Sequence, residues 1–244
     1  MPYIPSVPPE EAAGPVKELY DQELADQGCV ANYTRAFSRR PEVLAGWQAL
    51  KNAITSGMDP RLYELTTVAA ATAIRSRYCS LVHGQILATR YYQPDKVASI
   101  AADETAGALD AADAAVVRFA RKVAQEADKV TQEDIDELRD LGFADDDINN
   151  VILAAAARCF FSKVLDATGT LPDAALHEIP EQLRSALTVG RGDSAAGEFG
   201  KLSFSHPGAW ADRPRSCSFT AFTAANVVLL LRKIRGKAVR EKGP

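Results

Sequence analysis

Apolar residues recur at the three- and four-residue spacing of an α-helix in nearly every segment between Pro9 and Leu187, and proline or glycine marks most of the segment ends. A chain patterned in this way folds as all-α. Pro8 and Pro9, followed by Glu10 and Glu11, suit a helix start, with Val16, Leu19, Tyr20 and Leu24 as its apolar face and Gly28 as its end. A second helix follows Pro41, carries Val43, Leu44, Trp47, Leu50 and Ile54, and stops at Gly57. Asp59 and Pro60 open a third, to about Arg75, and Ser76 caps a fourth, to about Tyr92, with almost no linker between the two. Further helices are expected at Asp95 to Ala102, Ala111 to Ala127, Gln132 to Leu141 and Asp145 to Thr168, and from near Pro172 to Leu187. Thr131 with Asp134 approximates a capping box.

Beyond this the pattern changes. Five glycines, Pro207 and Pro214 interrupt the stretch from Gly190 to Pro214, and the helical period is lost. The reading is a helical domain over residues 1–189 and a C-terminal extension over 190–244, made of a loop at 190–216 and a helix at about 217–239. Phe204, Trp210, Phe219 and Phe222 are too apolar for a free tail, so the extension is expected to wrap a neighbouring subunit.

Charge narrows the partners. With 28 basic and 32 acidic residues the net charge is -4, so no global field favours nucleic acid or anionic lipid. The run Val227 to Leu231 is too short to span a bilayer, and no membrane span is expected. The N-terminus lacks the basic start and apolar stretch of a secretory signal, which makes the cytoplasm the expected compartment. Cys29, Cys79, Cys159 and Cys217 are widely scattered, so reduced thiols are expected. His177 and His206 stand outside any metal-ligand spacing, and there is no phosphate-binding glycine loop; neither metal nor cofactor is expected.

One constellation carries chemistry. The run Ser76-Arg77-Tyr78-Cys79-Ser80-Leu81-Val82-His83-Gly84 follows Glu64 by 12 residues. With Ser76 as N-cap, Cys79 is the third helical residue, where unpaired N–H groups and the positive helix end favour thiolate over thiol. His83, four residues on, shares its face and can accept the thiol proton directly or through one water. A hairpin of the two helices could bring Glu64 to His83 and fix its tautomer. The same residues also admit a plain reading: a core cysteine on a stripe with Val82 and Ile86, a capping serine, and an acid early in a helix. Cys159, beside Phe160 and Phe161, reads as a core thiol, yet is the second candidate to face the site.

Glu64, Cys79 and His83 match in type and spacing the signature of the alkylhydroperoxidase (AhpD-like) / carboxymuconolactone decarboxylase family, a glutamate, a Cys-x-x-Cys pair and a histidine four residues after the second cysteine. Ser76 occupies the first cysteine's place. The resemblance covers roughly residues 8 to 175, including Asn32 to Pro41, Phe119 to Val130 and Leu138 to Gly169, and is nearest to peroxidase-related members with a Ser-x-x-Cys-x-x-x-His-Gly motif. It implies an AhpD-like helical fold and an antioxidant, thiol-dependent peroxidase acting on small or organic hydroperoxides. Cys79 would be the nucleophile, His83 the base and Glu64 its orienting group, with Ser76 and Tyr78 supporting. It also implies a homo-oligomer, a trimer or hexamer. Because a hydroxyl cannot close a disulfide, an external thiol or another cysteine must resolve the sulfenic acid. The alternatives are a decarboxylase-like small-molecule lyase, or a non-catalytic helical oligomer that retains the pocket.

Overall fold

A computed structural model describes residues 2–105 and 107–190. The expected loop at 190–216 and helix at about 217–239 therefore lie outside the described residues, apart from Gly190 itself. What is described is helical throughout: α1 (Gly14–Gln27), α2 (Asn32–Ala36), α3 (Pro41–Thr55), α4 (Pro60–Ala73), α5 (Arg77–Arg90), α6 (Pro94–Ala102), α7 (Ala111–Glu126), α8 (Gln132–Asp140), α9 (Asp145–Ala167) and α10 (Glu181–Leu187).

α4 is the hub. Its N-cap Asp59 accepts a hydrogen bond from the Leu62 amide at 2.9 Å, and Pro60 stands in the first turn, where its missing N–H costs nothing. Eleven of its fourteen residues are buried, among them Ala69, Ala70 and Ala71. Small side chains on every face let α5, α7 and α9 all approach it closely. At its C-terminal end Arg75 takes the left-handed conformation, φ 60°, and the Ser76 amide reaches back to the Ala71 carbonyl at 2.9 Å. The chain thus turns within two residues and begins α5, as the abutting signals require.

α9, with 23 residues, is long and apolar enough to cross a membrane by length and composition. In this domain it is a core helix, with Ile148, Val151, Ala154, Ala155, Phe161 and Leu165 buried, and it packs on α3, α4 and α7. Phe161 stacks on Trp47 of α3 at 4.8 Å and on Phe37 at 5.5 Å between ring centroids. Arg61 of α4 donates from Nη1 to both carboxylate oxygens of the buried Asp113 of α7, at 2.7 and 2.8 Å, and Tyr92 also donates to Asp113.

Several boundaries differ from expectation. Pro9–Glu11 forms only a 3-10 turn, because Ala12 and Ala13 are extended, and α1 starts at Gly14. Leu24, assigned to its apolar face, is 51% exposed, while Tyr20 and Glu23 turn inward. Glu23 is held by the Ala31 amide, and burial pushes its carboxyl up to about 7. α2 had no clear sequence signal at five residues. The segment from Pro172 is not one helix: Ala174–Glu178 is a 3-10 turn, and Pro180 breaks the chain before α10. The Thr131–Asp134 box does form, with the Thr131 amide 2.7 Å from the Asp134 carboxylate. Cys29 is disulfide-bonded, which corrects the expectation of four reduced thiols; Cys79 and Cys159 are free.

α10 closes over α5 at Gly84, where an added Cβ would stand 2.4 Å from Leu187 Cδ2. Leu187 is fully buried and has little room to retreat. Gly190 ends the described chain against the Arg75 carbonyl: its φ is 79°, and a Cβ there would lie 2.3 Å from that oxygen. Gly84→Ala should lose about 1–3 kcal/mol by overpacking, measured by denaturant unfolding. Gly84→Ala/Leu187→Ala should be more stable than the sum of the two single losses, as a double-mutant cycle would record.

Candidate active site

The turn between α4 and α5 brings Glu64 and His83 together, with Glu64 Oε2 2.7 Å from His83 Nδ1. An ionised carboxylate only accepts, so that bond assigns the hydrogen to Nδ1 and leaves Nε2 with its lone pair. Both side chains keep a narrow exposed edge, 14% for His83 and 13% for Glu64. Burial pushes His83 below its ordinary value, and the Arg158 and Lys51 charges add to this, while Glu64 pulls the other way. The ring is therefore neutral and able to act as a base.

Cys79 is the third residue of α5 and is 1% exposed. Its polar partner is Arg158 of α9, whose Nη1 donates to Sγ at 3.6 Å. Nη2 of the same guanidinium donates to the Tyr63 hydroxyl at 3.2 Å, and its plane lies over Trp47 and Phe161 at 5.5 and 5.6 Å. Tyr63 in turn meets the His83 ring edge-on at 6.3 Å. The candidate site thus comprises Cys79, His83, Glu64, Arg158 and Tyr63, held by α4, α5 and α9, with Trp47 and Phe161 against the guanidinium.

Sequence reasoning missed Arg158, Tyr63 and Trp47. A signal for the first was present: Arg158 is the only charged residue between Asp147 and Lys163, and it continues the buried stripe Val151, Ala154, Phe161, Leu165. A charge there needs a purpose, since arginine is almost never fully buried unpaired.

The two supporting residues separate. Ser76 occupies the N-cap position, but its side chain caps nothing; the hydroxyl is fully buried and has no hydrogen-bond partner among the described residues. Tyr78 donates instead to Asp173, which also accepts from the Asn32 amide at 2.9 Å. It ties α5 to the start of α2, and its pKa is raised by burial and Asp173. Cys159, the second thiol considered for the site, donates to the Ala124 carbonyl at 3.7 Å on the α7 side of α9. Burial pushes it up, away from thiolate character.

Residues 41–125, the segment that carries Glu64, Cys79 and His83, match the carboxymuconolactone decarboxylase family. The family pattern thus covers this central segment, and the fold of the described residues is AhpD-like. An alkylhydroperoxidase AhpD core protein described as peroxidase-related, from Ralstonia eutropha JMP134, shares the fold with a TM-score of 0.60 at 19% identity, over 78% of this chain and 98% of that one. A peroxidase-related protein from Silicibacter sp. TM1040 gives 0.62 at 22%, over 72% and 96%. The debrominase Bmp8, as a cysteine-to-alanine variant in complex with 2,3,4-tribromopyrrole, gives 0.57 at 14%, over 75% and 95%. No curated protein matches the sequence.

Tyr78→Phe leaves the buried Asp173 with one partner fewer and should cost about 1–3 kcal/mol of stability, read by urea denaturation. The alkylation rate of Cys79 should stay within about twofold of wild type if Tyr78 is structural; a tenfold loss would return it to the site.

Proposed function

We propose that the protein is a thiol-dependent peroxidase that reduces small or organic hydroperoxides through Cys79. The observation that supports this best is a cysteine at a helix start, bonded to a buried guanidinium, one turn from a neutral histidine oriented by a carboxylate. Sulfur attacks the terminal peroxide oxygen, the S–O bond forms and the O–O bond breaks. Sulfur is oxidised by two electrons to the sulfenic level, and the alkoxide fragment leaves. His83 Nε2 takes the proton of the attacked oxygen and returns it to the leaving oxygen, releasing alcohol or water.

Resolution falls to an external thiol. The resolving position holds Ser76, and Cys159 is bonded to Ala124 on the far side of its helix. The thiol condenses with the sulfenic acid to a mixed disulfide and water, and a second thiol frees Cys79.

A second reading is cysteine attack on a halogenated aromatic ring, which the likeness to a debrominase and the walls formed by Trp47, Tyr63 and Phe161 favour. A decarboxylase-like lyase would not need the cysteine, and a non-catalytic oligomer would tolerate its loss. We also propose a homo-oligomer, a trimer or hexamer, because Leu153 and Phe160, seven residues apart on α9, and Leu50 on α3 are exposed apolar side chains on neighbouring helices.

Purified protein should consume hydroperoxide with at least one of several thiol reductants, and Cys79→Ser should abolish this. If both proteins are equally active, the cysteine reading fails. Ser76→Cys should form a 76–79 disulfide on oxidation, seen as the loss of two hydrogens by mass spectrometry, and should turn over faster with a dithiol. Light scattering should report more than one subunit, and Phe160→Asp should lower that number; a monomeric wild type would remove the assembly proposal.

A further inference from the structure

We propose that Arg158 holds Cys79 in its thiolate form, and that His83 serves the leaving oxygen rather than the thiol. This rests on the reading of Cys79 as a nucleophile and assigns its activating group. Arg158 is 3% exposed. A cation at that depth requires a compensating negative charge or a full set of acceptors. Its hydrogen-bond partners are a thiol and a phenol, the Glu64 carboxylate acts on it without a hydrogen bond, and its Nε is buried with no partner among the described residues. The aromatic faces of Trp47 and Phe161 soften the cost without neutralising the charge.

Two groups could supply an anion in direct contact with the guanidinium, since Glu64 is committed to His83. Tyr63 is buried, and its burial pushes the phenol above its ordinary value. A free thiol is already the stronger acid, at about 8.5 against about 10. The electron pair therefore settles on sulfur, where the positive end of α5 adds to the guanidinium. The S–H bond breaks, its proton passes to solvent, and Arg158 keeps its charge.

His83 is poorly suited to be the cation of such a pair. Burial, Arg158 and Lys51 all disfavour its protonation, and its Nδ1 is committed to Glu64. The charged and titratable groups around the thiol are Tyr63 and Glu64 from α4, His83 from α5 and Arg158 from α9, with Lys51 of α3 acting on His83. α10 meets α5 through the apolar Leu187, and the buried residues of α6 are Val97 and Ile100.

The test is the rate at which iodoacetamide alkylates Cys79, located by peptide mass spectrometry, followed across pH in wild type, Arg158→Met, Arg158→Gln and His83→Gln. Either Arg158 variant should slow alkylation about tenfold at neutral pH and displace the pH profile upward by about one unit. His83→Gln should leave the profile in place while lowering peroxide turnover. Superimposable wild-type and Arg158 profiles, or an equal displacement in His83→Gln, would overturn the assignment. Should both Arg158 variants fail to fold, the ultraviolet thiolate absorbance of wild type minus Cys79→Ser decides: present at neutral pH and retained in His83→Gln, it supports the ion pair, and absent, it refutes it. An Arg158-dependent profile in a protein that consumes no hydroperoxide with any thiol would sink the peroxidase reading, and the role of His83 with it, and leave the Arg158–thiolate assignment standing.

Discussion

Close packing around α4 is the constraint on which the rest of the structure depends. A helix buried on nearly all sides cannot hold large side chains everywhere, and the Ala69-Ala70-Ala71 run lets three other helices reach it at once. Convergence of α4, α5 and α9 is therefore settled by volume before chemistry enters. The first turns of α4 contribute Tyr63 and Glu64, the first turns of α5 contribute Cys79 and His83, and the middle of α9 contributes Arg158. Residues from distant parts of the chain meet because the backbones have nowhere else to go.

That packing also sets the electrostatics. Dense apolar surroundings remove water from the guanidinium, the phenol and the thiol, so each must be answered by another protein group. His83 sits at the edge of this volume, where Glu64 can orient it without giving it a permanent charge. In the function proposed above, the enclosed Arg158–Cys79 contact holds charge and the edge-exposed Glu64–His83 contact moves protons. Tyr78, next in sequence to the cysteine, belongs to neither: one step along the helix rotates it to another flank, where it donates to Asp173, which Asn32 also holds.

Much of this was legible in the sequence. Local rules act at short range, so the α3, α4, α5, α7, α8 and α9 segments could be read from caps, prolines and periodicity, and the Glu64–His83 contact from two abutting helices. The misses have physical causes. Two extended alanines shift the start of α1, Pro180 divides the segment before α10, and α2 is too short for a period to show. Ser76 reads as a cap because serine usually caps, yet here the hydroxyl is enclosed. Arg158 stands 79 residues from Cys79, a separation no local pattern registers, although its isolation in an apolar stretch marks it afterwards.

The meeting of Gly190 with the Arg75 carbonyl has a mechanical meaning. Only glycine fits there, so the backbone lies directly against the left-handed turn that ends α4 and launches the cysteine helix. Residue 190 is thus held at the hinge immediately before Ser76, far closer in space to Cys79 than its distance along the chain implies. Any side chain placed at 190 would press first on the peptide unit that fixes where α5 begins.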